Sequence, residues 1–457
     1  MRIAFLLLCG LLLRSQEPAW WMRAKASLPG PMLDVEVRIA PGDDDDFRIA
    51  DGCGSFVDHV QREIGGVWKA AAWSGDQGSF PHAERDGLHL RYRFRLGEAA
   101  ASLRRLMMIT GGDECFLVRP PAFLIRPRRY WPSRQARLEI DPPEGWRFLS
   151  GLRSTGEGFD ASTEALDDAP YSALGRFEVA TVKVGGDAMT WAKPAGLAWD
   201  QAALTEWIQR SALEVAWAFG GSPVPQCTLF LWPSPRGRGV GFGTAAGMGG
   251  GSVIVLMGAN WKPEDLALDW VLPHELTHLG LPTLDARHRW LEEGLPTYLE
   301  PLLALRAGRI TPERFWGDLM RELPQGQPEA GDRGLDRTPT WGRTYWGGAL
   351  FFFLADLDIR EHSKGQMTLM DALRRIHQEG LNTESTCELP ELLAALDRGA
   401  GRSTFRALHD RHGAKAEKVD LEAIWARLGL QVKDGKVRFL DDAPAAYLRR
   451  AWIGAIR

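Results

Sequence analysis

From Met32 to about Val184 apolar and polar residues alternate with a period of two. In LDVEVRI, Leu33, Val35, Val37 and Ile39 share one face. In LHLRYRFRL, Leu88, Leu90, Tyr92, Phe94 and Leu96 share a face, opposite His89, Arg91, Arg93 and Arg95. ARLEID and FEVATVKV continue the series, with Pro and Gly clusters between. Such alternation predicts half-buried strands, and repeated strands with turn punctuation predict a β-sandwich, expected over 29–190. Near Asp200 the period changes. Leu204, Ile208, Ala212, Val215 and Phe219 recur at three and four, and Gly220 and Gly221 follow; this predicts an amphipathic helix with a glycine stop. CTLFLW and GGSVIVLM read as strands. Beyond Pro263 the pattern is mostly helical to about Leu428, with Thr311, Pro312 and Glu313 marking one start by cap, proline and first-turn acid. The expected class is multidomain α+β: a sandwich, a mixed segment over 191–310 and a mostly helical region over 311–457.

Composition narrows the function. With 45% hydrophobic and 25% charged residues among 457, the chain can bury sizeable cores. Its net charge of −4 offers no basic excess for phosphates, so no nucleic-acid partner is expected. Residues 1–28 open with an arginine and an apolar run, Ile3–Leu13, that resembles a secretory segment and is too short to span a bilayer. Export to the envelope or beyond is expected, with a cytoplasmic protein as the alternative if the segment is not a signal. Cys53 and Cys115 could pair in an oxidising compartment or remain thiols. The run Asp43–Asp46 lacks calcium-loop spacing and reads as a solvated turn.

The chemistry lies in VLPHELTHLGLP, residues 271–282. One helix is expected from Pro263 to Gly280, bent at Pro273. On it His274 and His278 stand four apart and leave the same face, so both imidazoles can reach one metal ion. Glu275 is rotated by about 100° from His274, which suits a base holding a water rather than a ligand. Chance alone would spell this motif somewhere in such a chain about one time in a hundred. A catalytic zinc needs a third protein ligand and an open position. The nearby imidazole of His288 reads as an ordinary loop histidine.

WLEEGLPTYLE, beginning at Trp290, resembles the W-L-x-E-G-x-x-x-Y element of the gluzincin metallopeptidases. The resemblance implies a thermolysin-like catalytic domain over 191–310, one Zn2+ per chain, and Glu293 as third ligand beside His274 and His278. LALRAG and TYWGGALFFFLADLDIR are similar to the glycyl aminopeptidase family in particular, an aminopeptidase N-like group. They imply Tyr345 as the donor to the oxyanion, and a peptide or unfolded protein as substrate. DPPEGWRFLSGL and AFGGSPVPQCTLFLW also resemble that family, and no PDZ-like pattern follows residue 430.

There are departures. Gly347 stands in place of the usual lysine after Tyr345, and the spacer between His278 and Glu293 is short. AAGMGGGSVIVL fits the edge strand lining the substrate groove, with Gly247, Met248, Gly249 and Gly250 as substrate-binding positions. Aminopeptidases of these families carry a glutamate there for the free amine, yet no Asp or Glu occurs between Gly239 and Pro263. Glu292 is the candidate replacement, against a solvent-facing role. The expected activity is an aminopeptidase-like zinc peptidase with Glu275 as general base. The alternatives are an endopeptidase on unfolded chains and an inactive peptide-binding relative. The oligomeric state stays open.

Overall fold

The alternating segments pair with one another through their apolar faces. Trp20–Ser27 lies antiparallel to Met32–Ile39, with Trp20 opposite Ile39, and Met32–Ile39 pairs in turn with Leu88–Phe94. Leu33, Val35, Val37, Leu90 and Phe94 are buried on one side, and Arg91 and Arg93 are exposed on the other. The computed structural model describes residues 17–454 apart from 113, 157 and 236. The apolar run Ile3–Leu13 lies outside the described residues. The full sheet has seven strands, in the order Phe159–Ser162, Gln135–Asp141, Trp20–Ser27, Met32–Ile39, Leu88–Phe94, Val57–Ile64, Val67–Ala70. A four-stranded and a three-stranded sheet accompany it, and a core including Trp20, Phe47, Phe94, Phe116 and Leu124 joins all three.

Two boundaries differ from expectation. Trp20–Ser27 is a strand inside the large sheet, so the first domain reaches into 1–28. Its alternation is as regular as its neighbours', but the preceding apolar run draws the eye past it. FEVATVKV belongs to the next domain: Phe177–Val184 pairs with Asp187–Pro194 in a separate five-stranded sheet. A period of two shows that one face is buried and is silent about which sheet supplies the partner. Asp43, expected in a solvated turn, is buried and accepts hydrogen bonds from the Trp20 indole at 2.7 Å and from Arg134 at 2.9 Å. Cys53 and Cys115 form no disulfide; Cys115 Sγ donates to the Arg176 carbonyl at 2.8 Å.

The five-stranded sheet runs Phe177–Val184, Asp187–Pro194, Gln226–Ser234, Gly251–Gly258, Val240–Ala246. Its two inner pairings are parallel and its outer ones antiparallel, so Val240–Ala246 forms one edge. Helix Gln201–Phe219 connects the second and third strands. The Asp200 side chain caps it at 3.0 Å from Ala203 N, and Gly220 ends it at φ 78°. From Pro263 the chain is mainly helical. No helix among the described residues is long and apolar enough to cross a membrane. The architecture is multidomain α+β, a sheet-built N-terminal region followed by a mixed and then a helical region.

Candidate metal centre and active site

The quoted motif does not lie on one long bent helix. A short 3-10 turn, Pro263–Leu266, precedes a separate helix, Val271–His278. Pro273 is therefore its third residue, where no intrahelical partner exists for an N–H, and it disturbs nothing. The two N–H groups before it are met by Asp269, whose Oδ1 and Oδ2 accept from Val271 and Leu272 at 3.1 Å each. Asp269 also accepts from the Trp207 indole at 3.1 Å, which fixes the helix start to the helix Gln201–Phe219. An aspartate two residues before a helix start is a legible signal, and it was hidden here by the expectation of a longer helix.

His274 and His278 leave this short helix on one side, and helix Arg289–Arg306 brings Glu293 against them. Glu293 Oε2 stands 3.7 Å from Nε2 of each histidine, and one ligand atom from each of the three lies within 4.8 Å of the others. A tetrahedral zinc with bonds of about 2.0–2.1 Å needs donors roughly 3.4 Å apart. The donor set fits zinc, and the two Glu293–histidine separations reach that spacing after a contraction of a few tenths of an ångström. Burial and the charge of His274 hold the His278 imidazole down, to about 4. Burial alone would raise the Glu293 carboxyl, but His274, His278 and Arg289 hold it down, to about 2. Both groups are thus in the deprotonated form a metal requires.

Glu293 is oriented by Arg289, one turn earlier, whose Nη2 donates to Oε1 at 3.1 Å. That contact leaves Oε2 turned toward the histidines. The i,i+4 spacing of Arg289 and Glu293 is readable in the sequence. Helix Arg289–Arg306 carries both Pro296 and Pro301 and continues through them. Pro296 has no N–H for the Glu292 carbonyl, and the Glu292 main chain hydrogen-bonds His278 instead. The proline thereby supplies the outer contact that orients a ligand imidazole.

Glu275 is 8% exposed and lies under the edge strand Val240–Ala246. A Cβ on Gly243 would stand 2.4 Å from Glu275 Cγ, so only glycine lets strand and helix approach this closely. Ala245 N–H donates to the Glu275 carboxylate, while burial and then the charge of Glu293 push its carboxyl up to about 8. Tyr345 sits on a π-helical turn, Arg343–Gly347, a local form often found at functional sites. Its hydroxyl hydrogen-bonds Glu293, and burial and then the Glu293 charge push its pKa up, so that the hydroxyl keeps its proton. Glycines make this meeting feasible. A Cβ on Gly348 would stand 2.0 Å from the Trp290 carbonyl, and one on Gly294 would stand 2.3 Å from Gly348. The helices bearing Glu293 and Tyr345 therefore cross in backbone contact. Asp336 pins the same region, accepting from His288 at 2.8 Å, the Trp290 indole at 2.9 Å and His409 at 2.8 Å. His288 is thus a buried structural histidine and not a loose loop residue.

The expected substrate-binding residues are placed differently. Gly247, Met248, Gly249 and Gly250 follow the edge strand and are already engaged by protein. Met248 N donates to Thr383 O at 3.0 Å, and Gly249 O accepts from Arg153 N at 3.2 Å. A Cβ on Gly250 would meet Gly151 O at 1.8 Å and one on Gly247 would meet Thr383 Oγ1 at 2.0 Å, so these glycines serve contact with the first domain and the helical region rather than an open groove. Glu292 is half-buried, and its Oε1 accepts from Leu284 N at 3.3 Å.

The multidomain α+β architecture matches that of a two-domain M1 zinc metallopeptidase, at 17% identity and a TM-score of 0.53 over 88% of this chain and 95% of that one. Among solved structures, the chain is similar to an aminopeptidase N family protein from Idiomarina loihiensis, at 16% identity and a TM-score of 0.65 over 93% of this chain and 82% of that one. An M1 zinc metallopeptidase from Deinococcus radiodurans matches at 16% identity and a TM-score of 0.52, over 88% and 95%. Legionella pneumophila aminopeptidase A, in complex with aspartic acid, matches at 12% identity and a TM-score of 0.53, over 88% of this chain and 49% of that one. No family model matches the chain, and no curated protein does. At these identities the likeness establishes the shared fold.

Proposed function

We propose that this protein is a zinc-dependent peptidase. The observation that carries the reading is the convergence of His274, His278 and Glu293 beside Glu275 and Tyr345. The three ligands would hold one Zn2+, which when bound polarises a scissile carbonyl and acidifies a water. Glu275 is the base: the charge of a bound Zn2+ would oppose the burial and the Glu293 charge that raise its carboxyl, and its carboxylate, steadied by the Ala245 N–H, takes a proton from water and returns it to the leaving nitrogen. Tyr345 donates its hydroxyl to the carbonyl oxygen as negative charge gathers there. Arg289 keeps one Glu293 oxygen occupied, so that the other is presented to the histidines.

The aminopeptidase form of this reading needs a carboxylate for the substrate's free amine. The glycine element offers none, and the half-buried Glu292 already has one oxygen bonded to Leu284 N. Hydrolysis of a peptide bond is therefore the activity the site supports best. The test is Glu275→Gln, which preserves shape and removes the base. Metal analysis should find about one zinc per chain in this variant and in the wild type, with peptide hydrolysis reduced by orders of magnitude in the variant only. His274→Ala should lose the metal. A wild-type protein that takes up no zinc, or a Glu275→Gln variant with full turnover, defeats the proposal.

A further inference from the structure

Four large apolar side chains stand open to solvent around the metal cleft: Met107 (54% exposed), Phe242 (45%), Trp270 (55%) and Trp341 (63%). The Trp270 ring lies edge-on to that of His274 at 5.7 Å between centroids, and the Trp341 ring lies 5.8 Å from that of Tyr345. Phe242 precedes Gly243, the residue seated on Glu275, so its side chain leaves the opposite face of the edge strand, and an extended chain along that edge presents side chains to both faces. Met107 Sδ is 3.8 Å from Thr244 Oγ1 on the same edge strand. These residues come from four separate segments of the chain, so no single local packing need brings them together. Clustered apolar exposure of this kind marks a surface that binds something apolar.

The edge strand adds direction. Val240–Ala246 is paired on one side alone, with Gly251–Gly258. Ala245 turns its N–H toward Glu275, away from that partner. In an antiparallel pair, alternate residues face the same way, so Gly243 shares this outward orientation. An extended chain can lie along such an edge through main-chain hydrogen bonds.

Charge then decides which part of a chain fits. A terminal ammonium needs a carboxylate when water is displaced from it. Gly249 has no room for one, since its Cβ would stand 2.8 Å from Ala165 Cβ. Glu292 is engaged by Leu284 N, and Glu384, beside the Thr383 that packs on Gly247, is ion-paired with Arg153. The Arg289 guanidinium, 66% exposed and paired with Glu293, adds positive charge beside the metal site and disfavours a second cation there.

Resting on the zinc-peptidase reading, we infer that the cleft takes the interior of an extended, apolar polypeptide segment rather than a chain N-terminus. Met107, Phe242, Trp270 and Trp341 provide its apolar contacts. Water adds across the internal amide: the carbonyl carbon gains the hydroxyl, the nitrogen gains the proton, and the C–N bond breaks to leave two chains.

The experiment uses the full chain loaded with zinc and carrying Glu275→Gln, so that peptide binds without turnover. The probe is a fluorescently labelled dodecapeptide with Phe and Leu at its centre, acetylated and amidated. It is compared with the same peptide bearing a free amine, and with a version carrying Ser and Asn in place of Phe and Leu. Anisotropy should give the blocked and free apolar peptides equal Kd within about twofold. The polar version should bind at least about tenfold more weakly. Trp270→Ala and Phe242→Ser, each added to Glu275→Gln, should each weaken the apolar peptide by about tenfold at unchanged zinc content. Tighter binding of the free-amine form by about tenfold, or equal binding of the polar peptide, overturns the inference. In parallel, mass spectrometry of the blocked peptide treated with wild-type protein should find an internal cut. Cleavage confined to free N-termini overturns the inference and leaves the peptidase reading standing. Failure of the zinc-loaded wild type to cut any peptide overturns the peptidase reading, and the Kd values still judge the inference.

Discussion

The helices carrying Glu293 and Tyr345 touch at Gly294 and Gly348, so Gly348→Ala should push them apart. The added methyl would stand 2.0 Å from the Trp290 carbonyl oxygen and 2.7 Å from Gly294 Cα. Packed carbon–oxygen contacts settle at about 3.3 Å or more, so the helices must separate by roughly 1.3 Å at this point. Both obstacles are helix backbone, and neither can rotate aside. Overpacking of this kind costs about 1–3 kcal/mol, and the rigidity of the obstacles places this case near the upper end. The larger consequence falls on Tyr345, three residues before the methyl. A displacement of about 1 Å in a positioned group lowers the rate by about a hundredfold. Glu293 lies between Trp290 and Gly294 on the helix that the methyl strikes, so the same separation displaces one candidate metal donor and zinc affinity should fall as well. Urea denaturation followed by tryptophan fluorescence, metal analysis and kcat on a reference peptide measure the three quantities. A Gly348→Ala protein with wild-type stability and wild-type kcat would refute the argument that backbone contact sets the Tyr345 position.

Tyr345→Phe removes one hydroxyl that acts mainly as the carbonyl gathers charge, so kcat should fall by about 10²–10³ with KM little changed; steady-state kinetics showing the reverse pattern would reduce Tyr345 to a ground-state contact. Asp356 is 0% exposed and holds Arg360, 1% exposed, at 2.9 Å, while also accepting from Tyr298 at 2.8 Å. Asp356→Ala strands a buried guanidinium and should cost about 3–5 kcal/mol in urea titration; a loss below about 1 kcal/mol would mean that the arginine finds water or another partner. Burial pushes the Asp336 carboxyl up, but hydrogen bonds from His288, His409 and Trp290 outweigh it and hold it well below the usual carboxylate range. A depressed folded value stabilises above the unfolded value of about 3.9 and is lost as pH falls through the folded one. The stability advantage of wild type over Asp336→Asn should therefore be full at neutral pH and shrink in strong acid; a constant gap across that range would deny the carboxylate its role.

Some of this molecule is determined within a few neighbouring residues. The i,i+4 spacing of His274 and His278 places two imidazoles on one face whatever surrounds them, because helix geometry is local. The alternation of Leu33, Val35, Val37 and Ile39 likewise selects a half-buried strand, and Asp200 and Gly220 bracket their helix by capping chemistry alone. Glu293 is legible as the candidate third ligand through the resemblance of its surroundings to a known element, and the fold brings it to the two histidines. The rest required the fold. Pro273 is harmless because the helix begins at Val271, and it begins there because Asp269, held by Trp207 from a distant helix, meets the first two N–H groups. Phe177–Val184 changes domain because alternation encodes a buried face without naming its partner. Gly247–Gly250 look like a groove floor as a string of small residues, yet Thr383, Gly151 and Ala165 pack against them from other parts of the chain. Glu292 and Glu293 are adjacent acids on one helix, but consecutive residues point about 100° apart. One therefore reaches the histidines and the other meets Leu284 N. Local periodicity sets which way a side chain leaves its element, and only long-range packing decides what stands there to meet it.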